Sequence, residues 1–130
     1  MAVYRGAMEA FNRRDIDWIL DRLAPDFEYR TAEVVPDTDA SYVGREGWRR
    51  FWNHFVEGTW SEGRIDVHRT EDLGAGRVLG LITFEGVGRG SGADFKIPYG
   101  HICTVRDGLA VRLEGFAAWN EALGAAGLES

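Results

Sequence analysis

The chain has 130 residues, enough for a single domain over residues 1–130 that folds without disulfide support. Its 15 basic residues against 21 acidic ones give a formal net charge of −6, which makes a nucleic-acid backbone an unexpected partner. The one cysteine, Cys103, cannot form an intrachain disulfide, and no apolar run is long enough to span a bilayer, so we expect a cytoplasmic protein without a membrane partner.

The first third of the chain predicts two helices and a strand. Apolar residues recur at helical spacing over Tyr4–Phe11. Asp15 is a suitable N-cap for a second helix, whose apolar stripe runs over Ile16–Leu23 and which Pro25 ends at the preceding residue. Phe27–Thr31 then alternates bulky and charged residues, which indicates a short strand.

A third helix is predicted over Arg45–Glu57. One side of this segment carries only aromatic residues, which is the pattern of a helix packed against a core. These residues are Trp48, Phe51, Trp52 and Phe55. We expect that side to face a sheet.

After Gly63 the hydrophobic period changes from 3.6 to 2, so the rest of the chain is predicted to form strands. Val78–Phe84 is almost entirely apolar, as expected of a strand that is covered on both faces. Asp107-Gly108 favours a hairpin between the last two strands. Those strands and a short amphipathic tail are predicted over Phe95–Val105, Leu109–Phe116 and Asn120–Leu128.

Helices followed by strands with short connections predict an α+β domain with an antiparallel sheet. The helices should cover one face of that sheet. Because Val78–Phe84 is apolar on both faces, the second face needs another cover. A second copy of the chain is the simplest one, so we predict a homodimer that packs sheet to sheet.

Several short segments, in order and spacing, resemble one known family. They are Glu9–Asp17, Leu23–Glu28, Gly44–Gly47, Arg106–Gly108, Glu121–Leu123 and Ala126–Leu128. In this order they resemble SnoaL-like proteins of the superfamily that shares the nuclear transport factor 2 fold and includes the ketosteroid isomerases. The resemblance implies a cone-shaped domain whose N-terminal helices pack on the concave face of a curved sheet and enclose an apolar pocket, usually in a dimer.

The residues that catalyse isomerisation in that superfamily are missing here. Alignment places the isomerases' tyrosine at Ala7, their general base at Thr31 and their protonated aspartate at Gly100. Without a base and hydrogen-bond donors at those positions, ketosteroid isomerase chemistry is excluded. Related hydrolases and cyclases usually carry an aspartate on the last strand, where Glu114 is the only acid. By the alternation that the resemblance implies, Leu113, Gly115 and Ala117 point inward and Glu114 points outward, although a slip of one residue would reverse this.

His101 is the titratable residue best placed for chemistry, because it lies mid-strand and can accept or donate a proton near neutral pH. The preferred interpretation is a structural histidine at the dimer face. His101 and Cys103 are too few ligands for zinc, so we expect no metal and no cofactor. Cys103 is expected to be a buried, inert thiol.

An aromatic pocket is the feature on which a functional hypothesis can rest. By the resemblance, the inner side of the third helix and the inward residues of two strands line the cone. The expected lining is Tyr29, Thr31, Trp48, Trp52, Phe55, Ile82 and Phe84. It would suit a small, flat, hydrophobic molecule such as a polyketide or terpenoid, with hydroxyl and indole groups as polar handles. The alternative is a filled core without a ligand.

Two hypotheses about function follow. The first is a domain that binds a small hydrophobic molecule without the family's standard catalytic acids. The second is an acid–base enzyme of the cyclase, isomerase or hydrolase type, which uses His101 with Tyr29 or Glu114. A carboxylate within hydrogen-bond reach of His101 inside the pocket would favour the enzyme.

Overall fold

A computed structural model describes residues 1–31, 41–54, 60–88, 90 and 92–128, apart from the side chains of residues 60–62. The helices are α1 (Ala2–Asn12), α2 (Ile16–Leu20), α3 (Gly44–Phe51) and α4 (Trp119–Ala125). The strands are β1 (Leu23–Arg30), β2 (Ser41–Val43), β3 (Trp60–Gly74), β4 (Arg77–Gly88), β5 (Asp94–Arg106) and β6 (Leu109–Phe116).

The six strands form one curved, open sheet in the order β2-β1-β6-β5-β4-β3. Neighbours pair antiparallel except β1 and β6, which are parallel. The predicted α+β class is therefore confirmed, whereas the sheet is mixed and not wholly antiparallel. The long chain between β1 and β6 allows this pairing, because parallel strands need a long connection and hairpins do not.

Asp15 caps α2, as its position in the sequence predicts, because its carboxylate accepts a hydrogen bond from the Trp18 backbone N–H at 3.1 Å. The helix nevertheless ends at Leu20, so its predicted extension to Ala24 is wrong. Leu23 is instead the first residue of β1 and pairs with Ala110 of β6. A buried leucine at this position fits the apolar stripe of a helix and the buried side of a strand equally well. Its pairing in the sheet makes it part of the strand.

The third helix begins one residue before its predicted start, and it is helical to the last residue described in this segment. Regular α-helix covers Gly44–Phe51 and continues as a wider, π-helical turn over residues 52–54. The rest of the prediction, residues 55–57, lies outside the described residues. Within the described part, Trp48, Phe51 and Trp52 are buried in the main core, as the aromatic stripe predicts.

The two faces of the sheet are covered by different helices. The inner, concave face packs against α1–α3 and forms the main core. On the outer face, Leu79 and Leu81 of β4 and Ile102 of β5 pack against Ala122 and Leu123 of α4. The expectation that helices cover only one face is therefore wrong. The apolar strand β4 receives its second cover from α4 of the same chain.

None of the described helices is both long and apolar enough to cross a membrane.

Candidate functional site

A cavity of about 60 Å³ lies between the helices and the inner face of the sheet. Its described wall is Met8, Phe11, Tyr29, Trp48, Phe51, Ile65, Ile82, Phe84, Ile97, Tyr99, His101 and Leu113. A second cavity of about 40 Å³ lies under α1 and α2, and Trp48 belongs to the walls of both. Both are small beside typical ligand pockets of roughly 300–1,000 Å³. A molecule of more than a few atoms therefore requires side chains of the wall to move.

The structure brings together four of the seven residues expected to line a pocket. They are Tyr29, Trp48, Ile82 and Phe84. Thr31 follows the end of β1, is half-buried and does not belong to the described wall. Trp52 is buried behind the wall, where its ring packs edge-on against Phe11 with centroids 5.6 Å apart. Phe55 lies outside the described residues.

His101 lies on the inner face, in the wall of the cavity. Its Nδ1 is 2.9 Å from the Tyr4 hydroxyl of α1, and the residue is 4% exposed. Burial lowers the pKa of His101 to about 3, so the ring is neutral near pH 7. The preferred interpretation, a structural histidine on the outer, dimer-forming face, is therefore wrong about the face. Its partner is a phenol of the same chain.

Two glycines make room for phenol groups beside His101. Gly80 of β4 and Gly115 of β6 both pair with His101, one on each side of β5. A Cβ atom at Gly80 would overlap the hydroxyl and ring of Tyr4, and one at Gly115 would overlap those of Tyr99. The missing side chains therefore let both tyrosines approach the sheet backbone closely.

A second phenol pair lies in the same wall. The Tyr29 hydroxyl is hydrogen-bonded to that of Tyr99. Burial, with a smaller contribution from Tyr99, raises the pKa of Tyr29 well above its ordinary value. Both Tyr29 and His101 are therefore in their neutral forms near pH 7 in the ligand-free protein.

The indole of Trp48 is the unusual polar group of the wall. Its Nε1–H is buried and has no hydrogen-bond partner among the described residues. The ring packs among aromatic neighbours, with its centroid 5.6 Å from that of Tyr29 and 5.1 Å from that of Phe51. A buried donor without an acceptor costs free energy, so this group marks a place where a ligand would be stabilised.

The remaining chemical candidates lie apart from the cavity wall. Glu114 is on the outer face, because Leu113 and Gly115 on either side of it point inward, and its carboxylate lies 3.6 Å from Arg112. Cys103 is buried on the inner face, and burial raises its pKa to about 12, as in an inert thiol. Among the described residues, no three His, Cys, Asp or Glu side chains are grouped as a metal site would need.

Tyr4 and Tyr99 were not among the residues expected at the site. Tyr4 was assigned to the core stripe of the first helix, and only its contact with His101 gives it a polar role. The sequence feature that indicates this contact is Gly80, a glycine inside an otherwise apolar strand. Such a glycine often marks a place where another group packs closely against the backbone.

The model of the SnoaL-like domain family matches residues 4–113 of the chain. Comparison with curated proteins found no match. Among solved structures, an NTF2-like protein of unknown function from Burkholderia pseudomallei is similar, with a TM-score of 0.79, 23% identity, and coverage of 95% of this chain and 94% of that one. TerC, co-crystallised with polyporic acid, gives a TM-score of 0.77, 23% identity and coverage of 96% and 95%. A putative polyketide cyclase from Xanthomonas campestris gives 0.76, 22% identity and coverage of 96% and 94%. At these identities the likeness concerns the fold.

Proposed function

This chain belongs to the SnoaL-like domain family, and on that premise we propose that it binds a small, hydrophobic molecule between α3 and the inner face of the sheet. The observation that carries the proposal is the buried Trp48 indole N–H without a partner, in a wall that is otherwise aromatic and aliphatic. That TerC, which has a similar fold, was co-crystallised with the small molecule polyporic acid supports a ligand-binding role.

The side chains of the cavity wall favour ligand binding without acid–base catalysis. The described wall of the cavity contains no carboxylate. Burial keeps His101 neutral, and its hydrogen bond goes to Tyr4, so it lacks the orienting acid that a general base requires. Of the two partners considered for His101 in an enzyme, Tyr29 shares the wall whereas Glu114 lies on the other face of the sheet.

The cavity can be tested by filling it. Ile97 of β5 is a half-buried residue of the wall, whereas its neighbour Lys96 is exposed and points to the opposite face. We expect neutral bicyclic and tricyclic aromatic compounds to raise the melting temperature of the wild type and of Lys96→Trp. A ligand at 100 times its dissociation constant adds about 2.7 kcal/mol to stability. Ile97→Trp should fold and lose the response.

The opposite pattern would remove the proposal. If Ile97→Trp, once shown by circular dichroism to be folded, responds to the compounds as the wild type does, they bind elsewhere. If no compound of the panel stabilises the wild type, the proposed binding of small aromatic molecules is contradicted.

A homodimer through the outer face of the sheet is also proposed. Thr104, Arg112 and Glu114 alternate onto that face and stay only half-buried, which leaves a surface beside α4 for a second copy. Because α4 already covers Leu79 and Leu81, a second copy would contact the part of the outer face beside that helix. Light scattering after size-exclusion chromatography should give twice the mass of 14.5 kDa, and a monomer at micromolar concentration would contradict it.

Location in the cytoplasm is a further part of the proposal. Its support is that the single cysteine, Cys103, is buried and free. Fractionation of cells that express the tagged chain would test it.

A further inference from the structure

The cavity offers hydrogen-bond donors, and their arrangement narrows the class of ligand. We propose that the ligand is a neutral molecule with a carbonyl oxygen, which accepts hydrogen bonds from the ring N–H of His101 and the indole N–H of Trp48. This inference rests on the proposed function, since it presupposes that the cavity binds a ligand. It assigns His101 the role of a donor, whereas the enzyme hypothesis needs it as a base.

The tautomer of His101 follows from its neighbour. Tyr4 is 1% exposed, and the only hydrogen-bond partner of its hydroxyl among the described residues is Nδ1 of His101. If Nδ1 carried the ring proton, the phenol would accept that hydrogen and leave its own without an acceptor, which is costly in a buried position. Tyr4 therefore donates to Nδ1, and the proton of the neutral ring is on Nε2.

The Nε2–H group of His101 is then a donor within the cavity wall. It has no hydrogen-bond partner among the described residues. Tyr4 thus acts as a positioning residue, because its hydroxyl fixes which ring nitrogen carries the proton. The Trp48 indole N–H, buried and without a partner among the described residues, is the second donor of the same wall.

A carbonyl compound fits these donors better than an anion does. Among the described residues, the wall contains no lysine or arginine that could neutralise a carboxylate. Burying an anion without a counter-charge is expensive, whereas a ketone or quinone oxygen needs only hydrogen-bond donors. A hydrocarbon of the same shape would fill the space and leave both donors unpaired.

The first test is the tautomer in the ligand-free protein, read from the side-chain nitrogen shifts of His101 in a long-range 1H–15N correlation spectrum. We expect Nδ1 to be unprotonated and Nε2 protonated, and Tyr4→Phe to reduce that preference. A protonated Nδ1 in the wild type would overturn the inference whatever the ligand.

The second test compares 1-tetralone with tetralin, which has the same ring skeleton without the oxygen. We expect 1-tetralone to bind roughly fivefold more tightly or better, the worth of one net hydrogen bond, and to shift the Trp48 indole N–H resonance. Trp48→Phe should reduce that preference. The control Trp119→Phe, which removes an indole from the outer face, should keep it.

The outcomes separate this inference from the proposed function. Equal binding of the two compounds contradicts the carbonyl preference and leaves a hydrophobic binding site. Binding of neither contradicts both. A preference for 1-tetralone that survives in Trp48→Phe at full strength removes Trp48 from the donor pair.

Discussion

Trp48 on the inner face of the sheet and Trp119 on the outer face differ in the hydrogen bonding of their indole N–H groups. On the outer face, Trp119 of α4 donates its N–H to the backbone oxygen of Ile82 at 2.8 Å. On the inner face, the Trp48 N–H is buried and has no partner among the described residues. The Trp119 donor is therefore satisfied by its own chain, whereas the Trp48 donor lies in the wall of a small cavity. The other buried donor without a hydrogen bond among the described residues, Nε of Arg112 on the outer face, lies 3.6 Å from the Glu114 carboxylate. A buried indole N–H without a partner beside a cavity, and not aromatic content alone, is what makes the inner face the candidate binding surface.

The largest effect should come from filling the space beside His101. Gly80→Ala would place a methyl group against the Tyr4 ring and break its bond to His101, so we expect a loss of about 4 kcal/mol in unfolding free energy. On the outer face, the Cβ atom of Gly100→Ala would meet Ala122 of the short helix α4. That helix can shift, so about 1 kcal/mol is expected. Urea denaturation measures both, and equal losses would contradict the comparison.

The second-largest effect should be a pH dependence of the unfolding free energy, which comes from His101 on the inner face. Because burial lowers the pKa of His101 from 6.5 to about 3, the unfolded chain takes up a proton in that range and the folded one does not. The contribution of His101 to the unfolding free energy is complete above pH 6.5. It decreases as the pH falls, and about 2 kcal/mol of it is lost at pH 5. His101→Gln keeps an acceptor for Tyr4 and should flatten this part of the profile. The same slope in the variant would assign it to other groups.

A smaller difference is expected between the two tryptophans. Trp119→Phe removes the donor to the Ile82 carbonyl and should cost about 1–2 kcal/mol. Trp48→Phe also loses packing, but it removes a buried donor that has no partner, so its net cost should be below about 1 kcal/mol. Thermal or urea denaturation of the ligand-free variants measures the difference. A larger loss in Trp48→Phe would mean that its N–H is satisfied in solution.

The smallest effect should be a gain in unfolding free energy from a substitution in α4, on the outer face. Gly124 of α4 is exposed, and a Cβ atom there would meet nothing within 4 Å. Because alanine favours helix, Gly124→Ala should add about 0.5–1 kcal/mol and strengthen the cover of the outer face. A loss of stability in urea would show that α4 needs the freedom of that glycine.

The sequence predicted helices and strands well in segments where the hydrophobic residues repeat with a single period. The aromatic stripe of α3 predicted that Trp48 and Trp52 lie in the core, where the structure has them. The outward orientation of Glu114 came from the family resemblance, and the structure agrees with it. What pattern cannot supply is which distant residues meet. Tyr4 and His101 are 97 positions apart, so their hydrogen bond depends on how α1 crosses the sheet. The same applies to α4, whose amphipathic tail did not indicate the face that it covers.

The most direct test of the inner face as the binding surface is the set of nuclear Overhauser effects between bound 1-tetralone and the methyl groups of the protein. The two faces differ in their methyl-bearing residues, with Ile82, Ile97 and Leu113 around the cavity and Leu79 and Leu81 under α4. We expect contacts to the residues around the cavity and none to Leu79 or Leu81. Contacts to Leu79 or Leu81, with none to the cavity residues, would contradict the assignment.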